Sequence, residues 1–304
     1  MDFGVHLPHL GRQAGRDTII EHAQNADELG YHSVWTSDHI AWPASVESQY
    51  PYSEDGSFPA PNDMTWLDPV STLLFVAGCT EHVKLGVTVM ILGYRMPVQT
   101  AKVYATLDQL SEGRALLGVG IGWMREEFEA LGMPWENRGR RADEMLDLFE
   151  TLFSEERPSF DGRYYQVPEI AFEPKPKHGR IPIWVGGDTE PAWRRTVERG
   201  DVFHAAFEKA EKVEAAWKRI GELSDEAGRD RSELSLSIRY FLDFDSMADP
   251  DKSVQGSPEQ MLDRLGRLAD IGVSHVLLDT VARGGSEGKL DAMTRFAEEV
   301  MPHA

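Results

Sequence analysis

Eight times along the chain a short apolar run gives way to a segment of helical spacing, and this alternation constrains the fold more than any other feature. The runs are Asp2 to Leu7, Ser33 to Thr36, Val83 to Leu92, Arg114 to Val119, Ile181 to Val185, Asp201 to His204, Leu234 to Phe241 and Val273 to Asp279. The helical segments between and after them are Asp17 to Leu29, Leu67 to Cys79, Pro97 to Leu110, Arg125 to Leu131 with Arg141 to Phe153, Glu190 to Arg199, Ala210 to Ala227, Pro258 to Ile271 and Leu290 to Val300. Strict alternation implies parallel strands, because a crossover helix is what returns the chain to start the next strand in the same direction. Eight such units predict an α/β fold closed into a (β/α)8 TIM barrel.

A barrel of this kind needs about 250 residues, and the chain has 304. The surplus falls in three irregular stretches, Ala41 to Trp66, Glu155 to Arg180 and Asp243 to Ser257, and residues 1–304 read as one domain with insertions. Loops that follow strands sit at the C-terminal end of such a barrel, where active sites lie. The first and third stretches are therefore candidate lids, while the second, which precedes its strand, reads as a small hairpin with a proline-stiffened return.

Charge and composition exclude several function classes. There are 51 acidic against 31 basic residues, a formal net charge of −20. A surface of that sign repels nucleic acid and anionic lipid. The longest apolar stretch, Val70 to Cys79, falls far short of the roughly 20 residues of a membrane helix, and the N-terminus lacks the pattern of a signal peptide. Cys79 is the only cysteine, so neither an internal disulfide nor a thiolate cluster can form. No H-E-x-x-H or paired-histidine spacing suggests a metal site. The expectation is a cytoplasmic protein, possible as a homodimer, acting on a small-molecule substrate.

The segment Gly113 to Leu146 is the densest in information. An apolar strand runs into Gly118, Gly120 and Gly122 before a polar helix begins. Glycine weakens a strand by about 0.5–1 kcal/mol relative to alanine, so this spacing implies a close approach to the backbone, read here as that of a flat cofactor ring.

In Leu29 to His39, Leu85 to Val98, Ala101 to Glu144 and Ile181 to Gly187 the chain resembles the bacterial luciferase-like monooxygenase superfamily, and within it the branch using the deazaflavin coenzyme F420. The resemblance implies a TIM barrel with a flavin or deazaflavin over the C-terminal strand ends, and hydride chemistry. It implies a non-prolyl cis peptide at Thr88 and Val89, whose side chain buttresses the ring. It implies that Gly120, Ile121 and Gly122 lie against the cofactor. It also suggests that Gly186 and Gly187, with Asp188 ahead of a helix, receive its phosphate, as helix N-termini do.

His39 with Asp38 closes the second strand, and in similar dehydrogenases the matching histidine moves a proton, a role suited to an imidazole. Trp123 departs from the pattern, because sugar-phosphate dehydrogenases of the superfamily carry there a glutamate proposed as the second acid/base. Trp123 reads instead as the wall of an apolar pocket. Glu126 and Glu127 read as a solvated helix face or as partners of Arg138, Arg140 or Arg141. Trp42 and Trp66, with Tyr50, Tyr52 and Phe58 between prolines, suggest an aromatic lid over a flat or apolar substrate. Arg239 and Arg283, with His204, are further candidates for substrate contact. The expected activity is hydride transfer between coenzyme F420 and a small organic substrate. The alternatives are an FMN-dependent monooxygenase and a non-catalytic deazaflavin-binding protein.

Overall fold

The computed structural model describes residues 1–51, 53, 55–58, 61 and 63–304. Tyr52, assigned above to the aromatic lid, and Pro59 of the same loop lie outside the described residues. Eight parallel strands carry the architecture: β1 (Asp2–His6), β2 (Ser33–Thr36), β3 (Lys84–Val87), β4 (Ala115–Gly120), β5 (Ile183–Gly186), β6 (Val202–Ala206), β7 (Ser235–Asp243) and β8 (Val273–Thr280). Each pairs with the next, and β8 pairs with β1 in the register Asp2 to His275, which closes the barrel.

The third strand differs from the uninterrupted run expected from its sequence. It stops at Val87, and a two-residue strand at Met90–Ile91 resumes the pairing with β4. Gly86 faces Leu116 and Met90 faces Val119, so four steps on one side match three on the other. That extra residue is a bulge, which re-aims side chains at a barrel rim. The Thr88–Val89 peptide within it is cis, as the family resemblance implied.

Nine helices among the described residues surround the barrel: α1 (Arg16–Glu28), α2 (Pro69–Ala77), α3 (Pro97–Leu110), α4 (Arg125–Ala130), α5 (Arg138–Ser154), α6 (Glu190–Arg199), α7 (Ala210–Ala227), α8 (Pro258–Ile271) and α9 (Gly285–Glu299). Their starts follow local chemistry. Proline opens α2, α3 and α8, where a missing N–H is harmless. Ser257 and Gln260 form a reciprocal capping box on α8, and Gly272 ends it in the left-handed conformation. The main core lies between strands and helices, with Val5, Val34, Leu85 and Val185 meeting Ala23, Leu73, Ala105 and Phe149.

Inside the barrel the packing is less usual. Trp35, Trp184, Leu116, Val202 and Leu277 form a separate cluster; His204 stacks on Trp35, and His275 meets Trp184 edge to face. Branched aliphatic layers ordinarily fill such a barrel. Space for the large rings comes from small neighbours: a Cβ on Gly86 would lie 2.4 Å from Trp35, and one on Gly4 would lie 2.9 Å from its indole nitrogen.

The insertions divide in role. The 155–180 stretch forms the expected hairpin, Phe160–Asp161 against Gln166–Val167, pinned by Glu144 accepting from the N–H groups of Arg163, Tyr164 and Tyr165. The 243–257 stretch is not a lid over the cavity described below, none of whose lining it supplies. Asp243 instead ties it back by accepting from the N–H groups of Asp245, Met247 and Ala248, and Ser253–Gln255 adds a short strand beside β7. No helix among the described residues is long and apolar enough to cross a membrane.

Candidate active site

A cavity of about 540 Å³ opens at the C-terminal ends of the strands, a size suited to a cofactor or drug-sized ligand. Among the sequence-derived candidates, Asp38, His39, Trp66, Thr88, Val89, Gly120, Ile121, Gly122, Trp123, Gly186, Gly187 and Arg239 line it. Trp42 joins them indirectly, with its ring 4.7 Å from that of His39. Arg283 does not: its side chain is exposed, and it is absent from the cavity wall. It sits past the end of β8, where the chain has already turned toward α9, so proximity to a strand end in sequence did not place it on the rim.

His39 is oriented by a residue that the sequence reading put elsewhere. Its Nδ1 lies 2.6 Å from Oε2 of Glu127, which is fully buried. Oε2 also accepts from the Tyr94 hydroxyl, at 2.8 Å, and Oε1 accepts from the N–H groups of Ile40 and Ala41. Burial would raise the Glu127 carboxyl, but His39 and the two amides hold it below its ordinary range. An ionised Glu127 can only accept, so Nδ1 carries the proton and the lone pair of neutral His39 sits on Nε2. Nε2 has no protein partner among the described residues.

The assignment of Glu127 to a solvated face or an arginine pair is therefore corrected. Its signal was present in the spacing: Met124, Glu127, Phe128 and Leu131 form one helical stripe. A carboxylate on an apolar stripe is either costly or partnered, and the partner stood 88 residues earlier. Glu126 is likewise no free surface group, since it accepts from the N–H groups of Glu47 and Ser48 in the 41–66 loop.

Asp38 has a different task from its neighbour. Arg95 engages both its oxygens, at 2.5 and 2.8 Å, and the N–H of Ile91 donates to Oδ2 at 2.9 Å. A carboxylate so occupied anchors the strand that resumes after the bulge, and it has little capacity left to move a proton.

The glycine series also takes a sharper explanation. The closest approach to this backbone comes from the protein itself. A Cβ on Gly118 would fall 1.9 Å from the Val87 carbonyl oxygen, one on Gly120 would fall 2.5 Å from Val89, and one on Gly122 would fall 2.8 Å from Ile91. The series makes room for the bulge of the third strand, which then presents Thr88 and Val89 to the cavity. Gly120 and Gly122 still line that cavity, so a ring can lie nearby, but it is not the reason for the spacing.

Above His39 the 41–66 loop builds an aromatic enclosure. Trp66 and Trp42 approach the imidazole to 4.8 and 4.7 Å, and Phe58 and Trp123 stand at 6.0 and 6.1 Å. Tyr50 closes against Trp123 at 5.2 Å. Trp66 is fixed by its indole N–H donating to the Ser37 carbonyl.

The cations of the wall are each engaged. Arg239 pairs with Asp279 at 2.8 Å and donates to the Thr88 carbonyl. Arg195 pairs with Asp143, and Arg138 lies 3.7 Å over the Trp135 ring. His204 is 1% exposed and bonds Thr88 and Ser237, so burial lowers it to about 3 and keeps it neutral.

The model of the family described as luciferase-like monooxygenase matches residues 1–249. An uncharacterised protein of Mycobacterium tuberculosis is 30% identical over 207 residues, covering 68% of this chain and 71% of that protein. The coenzyme F420-dependent glucose-6-phosphate dehydrogenase of Microbacterium testaceum is 23% identical, covering 95% and 94%. The monooxygenase RslO1 of Streptomyces bottropensis superposes with a TM-score of 0.80 at 19% identity, over 100% of this chain and 99% of that one.

Proposed function

The chain belongs to the luciferase-like monooxygenase family, and from that membership we propose that it is a coenzyme F420-dependent oxidoreductase acting on an apolar organic substrate. The observation that carries the proposal is the buried Glu127–His39 pair at the edge of a cavity walled by glycine backbone. That cavity fits a flat cofactor. Gly120 and Gly122 present bare backbone beside Val89, and the N-terminus of α6, with Gly186 and Gly187 ahead of it and Arg138 and Arg195 in the same wall, suits a phosphate.

When bound, a deazaflavin supplies a carbon at position 5 that takes or gives a hydride, without the oxygen chemistry of reduced flavin N5 and C4a. The residues of this chain supply the rest. Oxidation of an alcohol removes a hydride from carbon and a proton from oxygen, and Nε2 of His39 takes that proton. Glu127 fixes the tautomer and stabilises the resulting imidazolium. The loop aromatics exclude water and orient the substrate.

Substrate class follows from what surrounds His39. Its ring neighbours are aromatic, and its ionised neighbour is an anion, which repels a phosphate. With Trp123 in the wall, an apolar alcohol, ketone, enone or imine is favoured over a sugar phosphate, in contrast to the dehydrogenase of Microbacterium testaceum. Membership of a family described as luciferase-like monooxygenase supports a second reading, an FMN-dependent monooxygenase. Parallel titration of purified protein with coenzyme F420 and FMN tests both. The proposal expects F420 binding and His39-dependent hydride transfer to an apolar substrate, whereas substrate-dependent oxygen consumption with reduced FMN alone supports the second reading.

A further inference from the structure

The barrel interior contains an unbroken polar chain that the proposed chemistry does not use. Thr88 Oγ1 lies 2.9 Å from His204 Nε2, and His204 Nδ1 lies 2.9 Å from Ser237 Oγ. Ser237 Oγ lies 2.9 Å from His275 Nδ1, His275 Nε2 lies 3.0 Å from Ser33 Oγ, and Ser33 Oγ lies 3.1 Å from His32 Nδ1. Thr88 lines the cavity at one end. At the other, His32 is partly exposed and its Nε2 is 3.8 Å from the exposed carboxylate of Asp2. The members between are at most 5% exposed, and Trp35 and Trp184 wall them from water.

We propose that Thr88, His204, Ser237, His275, Ser33 and His32 form a proton path joining the active-site cavity to solvent at the opposite end of the barrel. The donor count supports conduction. With Thr88 donating, each hydrogen bond can point toward His32: Thr88 to His204, His204 to Ser237, Ser237 to His275, His275 to Ser33, Ser33 to His32. With His32 donating, every bond reverses, and His204, Ser237, His275 and Ser33 each keep one donor and one acceptor partner within the chain. Ser33 permits this because a hydroxyl accepts twice and donates once, so it takes the Trp35 indole N–H at 2.8 Å in either state.

A proton arriving at Thr88 Oγ1 passes the Thr88 hydroxyl proton to His204 Nε2. Successive hops move the Nδ1 proton of His204 to Ser237, the Ser237 proton to His275 Nδ1, the Nε2 proton of His275 to Ser33, and the Ser33 proton to His32 Nδ1. His32 Nε2 then releases one proton to solvent. One proton enters and one leaves, no charge is stored, and the chain is left in the opposite polarity. It therefore holds one inversion at a time, which a proton travelling back in the opposite half-reaction resets. The two interior histidines, His204 and His275, stay neutral through burial, which suits concerted transfer.

The test begins with the protein alone. In 15N-histidine NMR spectra of the apo protein, a path whose two polarities are close in energy gives His204 and His275 averaged Nδ1 and Nε2 shifts, and opposite tautomers in each state. Ser237→Ala, with Ser33→Ala as a second break should the first not fold, freezes each ring in one tautomer. A single fixed tautomer for both rings in the wild-type protein overturns the proposal, whatever the enzyme proves to do. A second arm rests on the hydride-transfer reading: in single turnover, Ser237→Ala slows proton appearance in a pH-indicator dye by about a hundredfold while hydride transfer keeps its rate. Equal proton release in variant and wild type rejects the path in catalysis, and absence of turnover with either cofactor rejects the functional reading while leaving the NMR result to decide the path.

Discussion

Nδ1 of His39 and Oε2 of Glu127 lie 2.6 Å apart, although 88 residues separate them in sequence. The pair joins the end of β2 to α4, and it converts a lone rim histidine into one with a defined tautomer. In Glu127→Gln the amide must turn its NH2 toward either the His39 and Tyr94 donors or the two loop N–H groups. Turnover is expected to fall by about a hundredfold, with KM little changed. His39→Ala should fall at least as far, and the double variant no further, since the two act as a unit. Additive losses in steady-state kinetics would separate them.

Asp38→Asn tests the opposite assignment. Its carboxylate holds Arg95 and the Ile91 N–H, so the substitution leaves Arg95 with Asp68, 3.1 Å away, as its remaining carboxylate. Stability should drop by about 1–3 kcal/mol, read as a lower urea midpoint. Folded protein at low temperature should keep more activity than His39→Ala does.

Gly120→Ala should destabilise by about 1–3 kcal/mol, an overpacking effect, because the new methyl meets Val89. Gly118→Ala should cost more, since its methyl meets the carbonyl oxygen of Val87, which cannot rotate away. Adding Val89→Ala should recover part of the first loss and none of the second. A double-mutant cycle on urea midpoints measures both.

Stability should decline as pH falls below about 6.5 and continue to decline toward about 3. Burial lowers His204 from 6.5 to about 3 and lowers His6 and His275 in the same direction. Between those limits the unfolded chain binds more protons than the folded one, so stability rises with pH. Glu127, also held low, adds loss in the acidic range. Urea midpoints from pH 8 to 5 should show a steeper fall in the wild type than in a His204→Gln variant.

The barrel was legible because its strands and helices carry their own signals. Pro97, Gly200 and Gly272 punctuate the chain where helices begin or end, and α3, α6, α7 and α8 run over the residues expected. The cis bond at Thr88 and Val89 was found through family likeness alone, since nothing in the local sequence distinguishes it. The site was only half legible. His39 and the glycine-lined wall stood out by position, but the role of Glu127 depends on a contact between distant elements. Arg283 and the 243–257 stretch failed for a related reason. Closeness to a strand end does not fix the direction in which the chain leaves, and Asp243 folds that stretch back on itself.

Two consecutive carboxylates on α4 fasten the rim loop at two points, Glu127 at Ile40 and Ala41 and Glu126 at Glu47 and Ser48. Glu127 grips the loop root with Oε1 and aims the imidazole with Oε2. The root of the loop and the orientation of the catalytic imidazole are therefore set by one buried side chain, and displacing Ile40 and Ala41 would leave that carboxylate with His39 and Tyr94 as its remaining partners.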